Sequence, residues 1–152
     1  MAKLTRLYDA VVTRLSGPIG RALALFATRL SLAGIFWRAG RSKVEEGSWF
    51  SISDATYFLF DSEYSGVPLS PEWAAVMATA AEHVFPILLV LGLFTRLSAF
   101  ALLCMTMVIQ IFVYPEAWWS VHMIWASLSL ILITHGAGTW SLDHGLIKMR
   151  RA

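Results

Sequence analysis

Glu82 and His83 stand side by side in the run ATAAEHVFPILLVLGL, Ala78 to Leu93, whose other residues are apolar or small. An apolar segment of this kind should exclude both an acid and an imidazole. In hydrocarbon each must be paired or hydrated, since an isolated charge there costs roughly 3 kcal/mol or more. A second charge, Arg29, interrupts the apolar stretch from Arg21 to Ala39. Helical rise puts Glu82 about 15 Å inside one end of its stretch, while Arg29, about eight residues in from the opposite side, carries a side chain long enough to reach that level. We therefore expect a buried ion pair between Arg29 and Glu82.

Further polar groups fall near the ends of two other apolar stretches. Gln110 follows Thr106 by one turn, and His122 is followed at helical spacing by Trp125 and Ser129. With Lys43 and an aromatic loop they would line a pocket open to the outer leaflet. Lys43, His83, Gln110, His122 and Trp125 are thus the candidate ligand-binding residues, although such groups also serve as hydrogen-bonded glue between helices. No residue is assigned a catalytic role.

Several chemistries do not fit. Bis-histidine haem needs two imidazoles at one depth on facing helices, and helical rise puts His122, His83 and His135 at about 6, 16 and 26 Å. Met105 and Met107 face different ways, unlike a copper(I) path. Cys104 is the only cysteine, so neither an internal disulfide nor a dithiol motif exists. Zinc spacing, a phosphate loop and a serine-histidine-acid order are missing. We expect no metal and no covalent cofactor.

The elements that position these residues follow from composition. Of 152 residues 57% are hydrophobic and only 14% charged, and the mean hydropathy is +0.63, too apolar for a water-soluble surface. A formal charge of +2 gives no reason to expect nucleic acid. Four stretches suit transmembrane helices, at about residues 21–39, 73–94, 97–114 and 118–135. Tight links at "FTR" and "YPEAW" make successive spans antiparallel, so the expected fold class is an all-α, four-helix up-down bundle. Lys3, Arg6, Arg14, Arg21, Arg96, Lys148, Arg150 and Arg151 fall on one side, which the positive-inside rule makes the cytoplasm; Arg38, Arg41 and Lys43 oppose it but are fewer.

Residues 1–20 alternate Leu4, Leu7, Tyr8, Val11, Val12 and Leu15 with basic residues at helical spacing, which predicts a retained amphipathic helix on the cytoplasmic surface. Residues 137–152 form a cytoplasmic tail. The outer loop, 40–72, carries Trp49, Phe50, Tyr57, Phe58, Phe60 and Tyr64, and within it SDATYFLF predicts a short helix started by Ser53 or Asp54. Glu82 shares a helix face with Ala75, Ala78 and Thr79, small residues that favour close packing inside the bundle. Pro86, lacking an N–H, leaves the Glu82 carbonyl without its helical donor. His83 points about 100° away.

In this order, Arg29, the segment RAGRSKV with Gly40 and Lys43, Glu82, and the turn LGLFTRL with Gly92 and Arg96 resemble the DoxX family of small four-span bacterial membrane proteins. YFLF, EYSGVPLSPEWAA, VIQIFVYPEAW and GTWSLDHGL extend the likeness over nearly all the chain after about residue 20, while HVFP stands where a glycine-rich stretch is expected. The resemblance implies a bacterial inner-membrane protein associated with redox or stress systems: some relatives are named for a thiosulfate:quinone oxidoreductase, others accompany superoxide dismutase and a sulfurtransferase, or small copper-binding and metal-induced peptides.

The leading expectation is a membrane subunit of a quinone-linked redox system, since a quinone would supply electron chemistry that the chain lacks. The headgroup would meet Lys43, Gln110 and His122. An alternative is a non-enzymatic anchor or accessory protein, alone or as an oligomer, docking a periplasmic metal-binding peptide or a redox or metal-stress enzyme through the outer loop. Small-solute or proton transport beside Glu82 and Pro86 ranks third.

Overall fold

The computed structural model describes residues 2–151, so Met1 and Ala152, the extreme ends of the two expected tails, lie outside it. Seven α-helices follow one another: α1 Ala2–Ser16, α2 Pro18–Arg41, α3 Asp54–Ser62, α4 Pro71–Leu91, α5 Thr95–Phe112, α6 Met123–His135 and α7 Leu142–Arg151. A 3-10 turn, Pro115–Ala117, and a π turn, Trp118–His122, lead into α6. Four helical segments are long and apolar enough to cross a bilayer, namely α2, α4, α5 and the continuous stretch Pro115–His135. Each begins two or three residues earlier than hydropathy suggests. In α2, α4 and the last stretch the reason is a proline, Pro18, Pro71 or Pro115, whose fixed φ suits a first helical turn where no N–H is needed.

All four spans contribute to one core. Leu32, Ala33 and Phe36 of α2 meet Leu89 of α4, Ala99 and Leu102 of α5 and Leu132 of α6. The outward faces are equally apolar: Leu23, Leu30, Val84, Ile87, Phe100, Ile111, Ile124 and Leu130 are exposed. A soluble bundle would put charge there, so these rows mark the lipid-facing surface. Helix α2 packs on α4 and α6, and α5 packs on the same two.

The ends of the bundle are built differently. At the end carrying the chain termini, Gly92 closes α4 with φ +65°; Leu93 N–H donates to Leu88 O at 2.9 Å and Gly92 N–H to Leu89 O at 3.1 Å, which satisfies the last carbonyls. At the other end the long connection is an ordered cap. Val44 and Ile52 form an isolated antiparallel bridge, and Ser53 caps α3 by accepting from Thr56 N–H. Phe60 of α3 packs against Ala74 and Ala75 of α4, with Tyr57 and Tyr64 alongside. Trp49, Phe50, Phe58 and Trp73 point outward instead, Phe50 being 95% exposed. Such a girdle suits the headgroup region.

Candidate functional site

Beneath this cap lies the buried charge. Lys43 sits just past the end of α2, and its backbone carbonyl accepts hydrogen bonds from Ser53 N–H at 3.1 Å and Thr56 Oγ1 at 2.9 Å, which ties it to the start of α3. Its ammonium turns inward to Glu82, donating to Oε1 at 3.0 Å and lying 2.8 Å from Oε2. The two residues are 8% and 3% exposed.

The buried pair is therefore Lys43–Glu82, and the expected Arg29–Glu82 pair does not form. The reason is register. Gly40 stands against Glu82, so close that a Cβ there would lie 3.0 Å from Glu82 Cβ, whereas Arg29 reaches the last turn of α4. The stretch of α2 from Arg29 to Gly40 spans about 16 Å, beyond the reach of one side chain. Depth counted from the tips of two helices of unequal length placed the charges together; the observed stagger separates them.

Arg29 serves the opposite end. Its Nη1 donates to Leu89 O at 3.0 Å and Val90 O at 3.2 Å, and its Nη2 donates to Trp140 O. Nearby, Asp143 accepts from Phe94 N–H at 2.8 Å and Thr95 N–H at 3.0 Å, capping α5 from across the chain, while its own N–H bonds Gly92 O. Arg96 Nη2 donates to Thr134 O at the close of α6, at 3.3 Å. This end is a clamp on helix termini. Asp143 escaped the reading of polar residues because it lies outside every span; its only signal was its place in GTWSLDHGL.

His83 faces α2, not lipid. Its ring meets Trp37 edge-on at 5.2 Å, and a Cβ on Gly40 would come within 3.0 Å of its Nδ1 and Cε1. Nδ1 lies 2.7 Å from Thr79 O. A carbonyl only accepts, so Nδ1 carries the proton and Nε2 is left with a bare lone pair when the ring is neutral. That Nε2 is buried and has no hydrogen-bond partner among the described residues. From this point a groove of about 370 Å³ runs down the α2/α4 seam, between Leu30, Ala33, Gly34 and Trp37 on one side and Pro86, Ile87, Val90 and Leu91 on the other. Residues 83, 86, 87 and 90 share one helix face, as do 30, 33, 34 and 37, so His83, which packs on the groove residue Trp37, lies about one turn beyond the groove's lining. Gly34 opens the groove, since nothing lies within 4 Å of where its Cβ would be.

The remaining candidates form a separate cluster. His122 Nδ1 donates to Gln110 Oε1 at 2.7 Å, Gln110 Nε2 donates to Pro115 O at 2.7 Å, and Trp125 lies between the rings of His122 and Phe36 at 5.2 and 5.4 Å. The π turn that widens the helix at Trp118–His122 sets this arrangement. Among the described residues no hydrogen bond links His122 or Gln110 to Lys43. These residues hold α5 to α6, and the polar groups that meet at the α2/α4 seam are Lys43, Glu82 and His83.

Tyr64 belongs to the aromatic cap at this end of α4. It stacks on Phe60 at 4.3 Å and meets Tyr114 edge-on at 6.5 Å, and Tyr114 in turn donates a hydrogen bond to Glu63. Burial, with the Tyr114 phenol, Glu82 and Glu63 nearby, pushes the Tyr64 phenol up to about 12. The raised value means that the cap holds the neutral phenol more firmly than the unfolded chain does. Its contribution to stability is thus complete below about pH 10 and is lost as pH rises through about 12. Ultraviolet titration should show a late-ionising tyrosine that Tyr64→Phe removes; unchanged late titration in that variant would place the exception elsewhere.

Among the described residues, no group of three or more His, Cys, Asp or Glu comes together to hold a metal ion. Against known proteins, residues 24–115 match the family model described as DoxX. The chain is also 33% identical over 141 residues to an uncharacterized protein of Haemophilus influenzae, covering 82% of this chain and 84% of that one. No solved structure matches.

Proposed function

Because the chain belongs to the DoxX family and is a multi-pass membrane protein, we propose that it is the quinone-binding membrane subunit of a redox system. The observation that carries this reading is the orphaned Nε2 of His83, one helical turn from an apolar groove. A buried ring nitrogen without a partner costs about 1–3 kcal/mol, a penalty that a ligand hydroxyl donating to it would remove. The groove supplies a dry wall for an isoprenoid tail entering from the bilayer.

A bound quinone would supply two-electron chemistry. The residues hold and move the proton. Neutral His83 accepts a hydroxyl proton of the reduced form at Nε2; protonated, it donates from Nε2 to a carbonyl of the oxidised form. Glu82 lies close enough to steady that positive charge, while Thr79 O fixes the ring. The cap keeps water from the pair. In this reading the protein sits in the bacterial cytoplasmic membrane with both termini in the cytoplasm, where its basic residues concentrate.

Titration of the purified chain with a short-tailed benzoquinone tests the proposal. Saturable binding is expected, with His83→Ala weakening it by about tenfold or more and Gly34→Leu blocking the tail. No saturable binding, or binding indifferent to both substitutions, would sink it. A second reading, an accessory protein docking a periplasmic metal-binding or redox partner, draws support from the outward Trp49, Phe50 and Phe58. In that case replacing these three aromatics abolishes function while His83→Ala leaves it intact.

A further inference from the structure

The largest cavity described, about 840 Å³, lies at the end of the bundle that carries the termini. Its polar wall comes from four helices: Arg21 of α2, Arg96 of α5, His135 of α6, and His144 and Arg150 of α7, with Asp143 as the lone acid. One carboxylate can offset one of the three guanidinium charges at most, and its oxygens are held by the Phe94 and Thr95 amides. Among the described residues, the guanidinium groups of Arg21 and Arg150 have neither an ion-pair nor a hydrogen-bond partner. Three guanidinium groups facing one hollow repel each other unless an anion lies between them.

The hollow has the depth of a lipid headgroup. Arg21 lies in the first turn of α2, Arg96 in the first turn of α5 and His135 at the last residue of α6, so all three stand where spans leave the hydrocarbon. The rim is continuous with the bilayer side, because Phe94 and Leu97 line the same cavity and are exposed. Two amphipathic helices flank it: α1 exposes Leu4, Leu7 and Leu15, and α7 exposes Met149 together with Leu146 and Ile147, which also line the cavity. Helices of that kind lie in the interface plane.

We propose that this cavity binds the phosphate of an anionic phospholipid, whose acyl chains pass over Phe94 and Leu97 into the leaflet on the side of the termini. Arg21 and Arg150 supply the charge, and Arg96 joins the lipid to the cap of α6. Basic pockets between spans select anionic headgroups in this manner. The lipid would pin α7 and α1 against the bundle.

Native mass spectrometry of the full chain tests the proposal, using detergent with equal dioleoyl phosphatidylglycerol and dioleoyl phosphatidylcholine. Retained phosphatidylglycerol should exceed phosphatidylcholine by about tenfold. Arg21→Gln with Arg150→Gln should bring the ratio to within about twofold with helicity and elution unchanged, because neither side chain has another partner to lose. Arg6→Gln with Arg14→Gln, which removes equal charge from α1 outside the cavity, should keep the preference. Preference surviving the first pair, or lost equally in the second, overturns the proposal. So does displacement of the lipid by inorganic phosphate, which would mark a site for the free anion.

Discussion

Lys43→Met should be among the most damaging single substitutions in the chain, lowering stability by about 3–5 kcal/mol because it strands the Glu82 carboxylate beneath the cap. Among the described residues Lys43 is the ion-pair partner of Glu82, and Oε2 makes no hydrogen bond of its own. The converse change, Glu82→Gln, should cost less. Lys43 lies beyond the end of α2, where a long stem can swing its ammonium toward the interface. Replacing both residues, Lys43→Met with Glu82→Gln, should recover most of the loss, since neither charge then needs a partner. Thermal unfolding in detergent reads this order directly, with Lys43→Met displaced by on the order of 10 °C. Equal effects from the two single changes would mean that the carboxylate is better solvated than its surroundings indicate.

Gly92→Ala is expected to be comparably severe, for two separate reasons. The backbone there has φ +65°, which costs an L-residue about 1–2 kcal/mol. The added Cβ would also stand 2.4 Å from Arg29 Nη1 and 2.5 Å from Ser141 Cβ. Arg29 cannot yield without abandoning the carbonyls of Leu89, Val90 and Trp140, each worth about 1.5–3 kcal/mol as a hydrogen bond to a charged donor. Arg29→Lys should therefore fail to substitute for arginine, because a single ammonium cannot fork between α4 and the segment after α6. The two sites act through one contact, so Arg29→Ala with Gly92→Ala should destabilise less than the sum of the single changes. Strict additivity would show that the clamp and the turn are independent.

The sequence made the architecture legible because lipid leaves few alternatives. Apolar length and tight links define four helices, and Ser53 or Asp54 before ATYFLF marks the start of α3. Pairing was harder. Glu82 was correctly a buried acid in need of a base, yet helical rise measures depth only along one helix and says nothing of how two helices are staggered. Lys43 looked like a loop residue because α2 ends before it; the bridge at Val44 and Ile52 that turns it inward depends on contacts between segments. The same limit hid Asp143, which caps a helix distant in sequence. The π turn before His122 left no recognisable mark either, since WWSVH reads as ordinary helix.

His83 shows how local chemistry and packing must be combined. Its sequence position made it a candidate ligand-binding residue without showing which way it faces, and the seam with Trp37 and Gly40 shows which nitrogen is occupied and which is left bare. The result joins a polar head, formed by His83 beside Lys43 and Glu82, to a lipid-facing groove below it. The most direct test is the quinone content of lipid extracted from gently purified protein, comparing the unaltered chain with His83→Leu and Gly34→Leu at equal yield. The account predicts near-stoichiometric quinone in the first and its loss from both variants; quinone absent from all three, or retained equally by all, would contradict it.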